Sequence, residues 1–187
     1  MRVQTRWHNK DRERDAKQTA SALAFITWKT TLNSMKNMGE WGFVIGSTEH
    51  HFQVAQEFVA FLVQATDRYA HPRLGDEERA QLITAMAKRL AEIIEENQFE
   101  LLGPGDYRRC FIDLLNSRLA DYAELSYTED GPGYSALRYF GERVAAGLDA
   151  DNQKWVIEQV VEIEAPKTIE HLRKGLRDLI PDPAAQA

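Results

Sequence analysis

Between Thr48 and His71 the chain reads TEHHFQVAQEFVAFLVQATDRYAH. At the spacing of an α-helix, apolar side chains cover most of the circumference of this stretch. They are Phe52, Val54, Ala55, Phe58, Val59, Phe61, Leu62, Val63 and Ala65. A helix that is apolar on most sides has to be covered on most sides by other parts of the protein. Residues 48–71 are therefore predicted to form the central, buried helix of an α-helical domain.

One narrow row of this helix stays polar. Its members follow the spacing of a single helix face and are Gln53, Glu57, Gln64, Asp67 and His71, with Gln56 and Arg68 beside them. Such a row in a buried helix either packs against polar partners across the core or lines a cavity. We refer to it below as the polar row.

Helical patterns on both sides of this stretch complete the domain. Further helices are predicted at 16–37, 76–98, 107–125, 135–148 and 151–165, with a last helix that starts near Pro166. The prediction is an all-α, single-domain bundle of about seven helices over residues 16–180, arranged around helix 48–71. Residues 1–15 are predicted to be a flexible basic arm, and residues 181–187 a disordered tail.

The stretch 160–164, VVEIE, is a segment whose pattern also fits a strand. Branched apolar residues that alternate with polar ones are typical of β-structure. The helical interpretation is preferred because no partner strand is predicted elsewhere in the chain.

Arg118 is unusual in the predicted helix 107–125, because it lies in the apolar row of that helix. An unpaired buried charge costs on the order of several kcal/mol, so an arginine at such a position needs a carboxylate partner. Asp121 lies three positions further on, and Glu57 and Asp67 are the candidates across the core. We expect that Arg118 pairs with Glu57 or Asp67 and that this pair orients the two helices.

Two irregular segments interrupt the helices. Residues 39–46 (GEWGFVIG) hold Trp41 and Phe43 between glycines, and they either form an aromatic wall above a ligand or pin the connection to the core, which is the favoured interpretation. Residues 124–134 contain a DGPG turn and are predicted to be a surface loop. Within that loop, three side chains could line a site: Tyr127, Glu129 and Asp130.

Four apolar residues recur at heptad spacing in the last predicted helix: Ile169, Leu172, Leu176 and Leu179. An apolar stripe this narrow either docks on the body of its own domain or meets a second helix from another chain. The sequence therefore predicts these four residues as a surface for a protein partner or for self-association.

The composition predicts a cytoplasmic protein without disulfide bonds. Cys110 is the only cysteine, and it lies in an apolar pattern that is typical of a small buried hydrophobic residue. The formal net charge of −6 argues against a nucleic-acid partner. The longest apolar run, 58–63, is too short to cross a bilayer, so no membrane association is expected.

The common motifs for metal binding and catalysis do not occur in the sequence. Glu-x-x-His, His-Glu-x-x-His and Gly-x-Ser-x-Gly are all absent. The sequence thus predicts no metal site, no cofactor and no catalytic residue, and it leaves open whether the protein is an enzyme.

Two functions are consistent with these patterns. The favoured one is a non-enzymatic, cytoplasmic α-helical module for protein–protein interaction or assembly. The alternative is a small-molecule-binding protein or an enzyme, with a pocket along the polar row that faces Arg118. The side chains of that pocket would be Arg118, Glu57, Asp67, His71, Tyr122, Trp41 and Phe43. A densely packed polar row favours the first function, and a cavity along it favours the second.

Overall fold

The computed structural model describes residues 16–148 and 153–182. Its helices are α1 (Ala16–Glu40), α2 (Thr48–Ala70), α3 (Asp76–Leu102), α4 (Tyr107–Ala123), α5 (Tyr134–Ala146), α6 (Gln153–Gln159) and α7 (Ala165–Leu179). Two short antiparallel strands, β1 (Tyr127–Thr128) and β2 (Gly131–Pro132), form a hairpin between α4 and α5. The predicted arm 1–15 and residues 183–187 of the predicted tail lie outside the described residues.

Helix α2 lies at the centre of the domain, as its sequence predicts. It contacts α1, α3, α4, α5 and α7, and the side chains from Phe58 to Val63 are completely or almost completely buried. Ser47 caps its N-terminus by accepting a hydrogen bond from the backbone N–H of His50. The predicted all-α class is confirmed.

The number of helices differs slightly from the predicted seven. A five-residue π-helical turn, Val160–Glu164, joins α6 to α7 without a break, so the described residues form six continuous helical rods. Pro166 lacks an N–H group, but it lies in the first turn of α7. The residue before it, Ala165, still donates its N–H to the carbonyl of Val160 in the π-helical turn. A proline in a first helical turn does not break the rod. The helical interpretation of 160–164 is confirmed.

An aromatic cluster joins α2 to α5. The rings of Phe61 and Phe140 are stacked, with centroids 4.2 Å apart, and Phe58 meets Phe140 edge-on at 4.9 Å. All three side chains are buried. This cluster holds α5, and the hairpin that precedes it, against the central helix.

Helix α4 lies at the edge of the bundle and is less buried than its pattern predicts. Only Phe111, Leu115 and Tyr122 are buried on it, because it packs mainly against α2 and α3. Cys110 is exposed, and the prediction that it is buried is wrong. Successive helical residues point about 100° apart, so Cys110 faces solvent although its neighbour Phe111 faces the core.

The heptad stripe of the last helix docks on the domain itself. Ile169, Leu172 and Leu176 are buried and Leu179 is half-buried, because α7 packs against α1 and α2. The stripe therefore follows the first of its two predicted outcomes. Three of the four residues predicted to meet a partner are covered by their own chain. No helix among the described residues has both the length and the apolar character needed to span a bilayer.

Candidate functional site

Arg118 forms a two-pronged ion pair with Glu57 across the interface of α4 and α2. Its Nε donates to both carboxylate oxygens at 2.8 and 3.1 Å, and its Nη2 donates to one of them at 2.7 Å. The Arg118 side chain is 18% exposed and that of Glu57 is 9% exposed. The predicted pairing is confirmed, with Glu57 as the partner.

Asp67 has a different partner. Arg79, near the start of α3, donates to its two carboxylate oxygens at 2.8 and 2.9 Å. Asp67 lies ten residues beyond Glu57, which is about 15 Å along a helix. One arginine on α4 cannot serve both carboxylates.

Two tyrosines extend the network around Arg118. The Tyr139 hydroxyl donates to Asp121, which lies 3.8 Å from Arg118, and the Tyr122 ring packs edge-on against that of Tyr139 at 5.2 Å. Burial, followed by the hydrogen bond to Asp121, raises the pKa of Tyr139 to about 12. Burial also raises the pKa of Tyr122 well above its ordinary value. The polar row is therefore packed against protein partners at this point.

The remaining predicted site residues lie elsewhere. Trp41 is exposed and Phe43 is half-buried in the loop before α2, whereas His71 is exposed just after its end. Because α2 has 23 residues, its two ends are about 34 Å apart. Of the seven predicted residues, Glu57, Arg118 and Tyr122 come together. A ligand-binding role for any of the seven stays a prediction.

A large concavity opens on a different face of the domain. It has a volume of about 1080 Å³, and its lining side chains come from 68–73 at the end of α2, from 127–132 of the hairpin and from 166–177 of α7, together with Leu137 and Asp182. His71 is the only one of the seven predicted site residues that lines it. We call this concavity the cationic groove.

The groove carries five arginine and lysine side chains on a protein whose net charge is −6. Four carboxylates line it as well: Glu129, Asp130, Glu170 and Asp182. Lys174 pairs with Glu170 at 2.7 Å, and Arg73 lies 3.7 Å from Asp182. The other three cations have no carboxylate within 4.0 Å in the described part of the chain: Arg68, Arg173 and Arg177. Three arginines therefore line the groove without an ion pair of 4.0 Å or less among these residues, although Arg177 still acts electrostatically on Glu170.

Two of these arginines lie close to Tyr127. The guanidinium carbon of Arg68 is 5.8 Å from the centre of the Tyr127 ring. Arg173 donates to the backbone carbonyl of Glu129 at 3.3 Å and lies beside the Tyr127 hydroxyl. Burial raises the pKa of Tyr127, although both arginines oppose this rise. The phenol thus keeps its proton at neutral pH and can donate a hydrogen bond.

Part of the lining of this groove was predicted from the sequence. Tyr127, Glu129 and Asp130 were predicted as residues that could line a site, and all three do line the concavity. Arg68 and Arg173 were not predicted, because single basic residues beside an apolar stripe usually face water. The available signal was the spacing of Arg173 and Arg177, which places two cations on one face of the last helix.

A fully buried carboxyl group lies between α7 and α1. Glu164, in the π-helical turn, is 0% exposed, and the side chain of Asn37 on α1 is a hydrogen-bonding group beside its carboxylate. Nearby, the hydroxyls of Ser34 and Thr168 are 2.9 Å apart. Burial raises the pKa of Glu164, while Lys167 and the side chain of Asn37 oppose the rise. The folded protein therefore holds this proton more tightly than the unfolded chain does.

Glu164→Gln is expected to reduce the dependence of stability on pH. Since the folded-state pKa of Glu164 is raised, its contribution to stability is complete below the ordinary pKa of 4.5 and is lost as the pH rises through the folded-state value. Chemical unfolding of both proteins between pH 4 and pH 8 measures this difference. Wild type should lose stability relative to the variant as the pH rises.

Glu162→Gln serves as the control for that experiment, because Glu162 is exposed in the same π-helical turn. Its stability should follow the wild-type pH curve. Parallel curves for wild type and Glu164→Gln would contradict the assignment of a buried proton to Glu164.

Among residues 16–148 and 153–182, no group of three or more His, Cys, Asp or Glu side chains is arranged to hold a metal ion. No protein-family model, curated protein or solved structure matches the chain. The function is therefore argued from the geometry of the cationic groove.

Proposed function

We propose that the protein is a non-enzymatic interaction module that binds an acidic segment of a partner protein in the cationic groove. The observation that carries this proposal is the set of three arginines, Arg68, Arg173 and Arg177, that face the groove without a carboxylate partner among the described residues. Complementary charge steers association and selects the partner. The predicted cytoplasmic location is kept as part of this proposal.

The size and walls of the groove favour an extended peptide over a small molecule. Its volume of about 1080 Å³ is above the usual range for small-molecule pockets, about 300–1,000 Å³. Three prolines stiffen its rim: Pro72, Pro132 and Pro166. Arg73 stacks over the Tyr69 ring at 3.9 Å and donates to its backbone carbonyl at 2.8 Å. A rigid wall reduces the entropy that is lost on binding.

The alternative functions have less structural support. A pocket at Arg118 would have to displace Glu57, which already accepts three hydrogen bonds from that arginine. Self-association through the heptad stripe would have to separate α7 from the core, because Ile169, Leu172 and Leu176 are buried there. Binding of a segment in the cationic groove requires neither of these rearrangements.

Removal of the three groove charges is expected to weaken binding of an acidic peptide. We expect the triple variant Arg68→Gln, Arg173→Gln, Arg177→Gln to bind fluorescein-labelled decaglutamate at least about tenfold more weakly than wild type, by fluorescence anisotropy. Wild-type binding should also weaken when NaCl is raised from about 0.05 M to about 0.3 M, because salt screens exposed charges.

The matched control removes three arginines outside the groove: Arg89, Arg109 and Arg138, each replaced by glutamine. These side chains make surface ion pairs on α3, α4 and α5. Each triple variant loses three positive charges, so the two variants have the same net charge. The control should bind nearly as well as wild type. Equal losses in the two triple variants would mean that only the overall charge matters, and the groove would not be the binding site.

A further inference from the structure

The end of the groove next to the hairpin brings three hydrogen-bond donors to one place. The Arg68 guanidinium lies over the Tyr127 ring, and the Arg173 guanidinium lies beside its hydroxyl. Where a guanidinium donates to a phenol oxygen, the phenol O–H itself remains available for a ligand. The two guanidinium groups therefore lie next to Tyr127, whose own hydroxyl is the third donor.

Arg68 is positioned without using all of its donors. Its Nε is buried and makes no hydrogen bond among the described residues. The Nε atoms of Arg73, Arg79 and Arg143 are in the same state. The guanidinium of Arg68 forms no ion pair of 4.0 Å or less among the described residues, and an anionic ligand in the groove would supply the missing negative charge.

The hairpin holds Arg173 in place through its backbone. Arg173 donates to the carbonyl of Glu129, and the turn is closed by a hydrogen bond of 3.2 Å from the Thr128 hydroxyl to the carbonyl of Gly131. Gly131 has a φ of +136°, and a Cβ at this position would lie 3.5 Å from Nη2 of Arg173. Glycine thus allows the backbone conformation of the turn, and a Cβ there would make only an ordinary contact with the guanidinium.

This set of donors matches a phosphate group better than a carboxylate. A phosphate monoester carries about −1.5 to −2 charges at neutral pH and offers three acceptor oxygens, whereas a carboxylate carries one charge and two oxygens. Clusters of arginine are the usual means by which proteins recognise phosphorylated segments. Three donors and two positive charges around Tyr127 correspond to one phosphate dianion.

We infer that the cluster of Arg68, Tyr127 and Arg173 is a phosphate subsite, so that the acidic segment bound in the cationic groove carries a phosphorylated residue. This inference rests on the proposed function and adds to it the chemical class of the partner. The rest of the groove, with Lys174 and Arg177, contacts the acidic residues that flank the phosphate.

Three fluorescein-labelled peptides of nine residues test the inference. The first has a central serine among glutamates and glycines. The second carries phosphoserine at the same position, and the third keeps serine but replaces two glycines by glutamate, which matches the charge of the phosphorylated peptide. We expect wild type to bind the phosphopeptide about tenfold more tightly than the charge-matched peptide in fluorescence anisotropy.

The variants locate the preference within the groove. We expect the ratio of the affinities for the phosphopeptide and the charge-matched peptide to fall close to one in Arg68→Gln and in Arg173→Gln. Tyr127→Phe, which keeps the ring and loses the donor, should lower the ratio in part. Arg177→Gln should weaken the binding of both peptides and leave the ratio of their affinities unchanged. Thermal unfolding of each variant, with a midpoint close to that of wild type, establishes that the variants are folded.

The outcomes separate the two proposals. Equal affinity of wild type for the phosphopeptide and the charge-matched peptide would overturn the phosphate subsite and leave the acidic-segment function in place. A phosphate preference that survives in both Arg68→Gln and Arg173→Gln would also overturn the subsite. If none of the three peptides binds, the proposed function fails, and the phosphate subsite fails with it.

Discussion

Phe140→Ala is expected to lower the free energy of unfolding by about 3–5 kcal/mol, the usual cost of removing a buried phenylalanine. Phe140 is 0% exposed, and its ring contacts both Phe58 and Phe61 of the central helix. Part of the cost is the lost transfer of the ring out of water, and the rest is the cavity that remains.

The neighbouring residues cannot move in to fill this cavity easily. Helix α2 contacts five other helices, so a shift of Phe58 or Phe61 toward the space would disturb the packing on its other sides. Protein interiors are packed nearly as densely as crystals of small molecules, which limits such relaxation. We therefore expect a value in the upper part of the range.

Urea unfolding followed by circular dichroism measures this effect. Phe99→Ala is the control, because the same ring is removed from α3 at a position that is 59% exposed, and it should cost less than about 1 kcal/mol. Similar losses for Phe140→Ala and Phe99→Ala would contradict the aromatic cluster as the main joint between α2 and α5.

Glu57→Ala is expected to destabilise the domain by about 2–4 kcal/mol. The substitution leaves the Arg118 guanidinium largely buried without its partner, and removal of one member of a buried ion pair typically costs about 3–5 kcal/mol. The expected value is somewhat lower, because Arg118 keeps 18% of its surface exposed and Asp121 lies 3.8 Å away.

A double variant without either charge separates the effect of the ion pair from the effect of burying its members. The double variant Glu57→Leu, Arg118→Met replaces both charges by apolar side chains of similar length, and it should recover most of the stability that Glu57→Ala loses. Glu92→Gln, which removes a half-buried carboxylate paired with Arg89 and Arg108, should cost less than about 1 kcal/mol, because both arginines are about half exposed. If Glu57→Ala and Glu92→Gln cost the same, the Arg118–Glu57 pair does not behave as a buried one.

The central helix and the Arg118 pair were both predicted from local patterns. An apolar circumference can be identified within one helix, and it forces burial wherever the helix lies in the fold. An arginine in an apolar row likewise requires a carboxylate. The sequence could only limit the candidate partners of Arg118 to Glu57 and Asp67, because the choice between them depends on which part of α2 crosses α4.

The exposure of Cys110 and the continuous rod from α6 to α7 were not predicted. Cys110 belongs to a pattern with apolar residues on more than one side, and the structure exposes one of those sides because α4 lies at the edge. At 160–166, the proline was interpreted as the start of a separate helix. The π-helical turn before Pro166 shifts the hydrogen bonds by one residue, and the rod continues.

The all-α class, the central position of α2 and the need of Arg118 for a carboxylate can be derived from the sequence alone, because each follows from side chains within one helix. The cationic groove, in contrast, depends on tertiary packing. Its walls come from residues 68–73, 127–132 and 166–177, which are far apart in the chain and meet because α5 and α7 both pack on α2. Arg68 and Arg173 are separated by 105 positions in the sequence, and no local pattern relates them. The relative placement of their two helices sets both beside Tyr127.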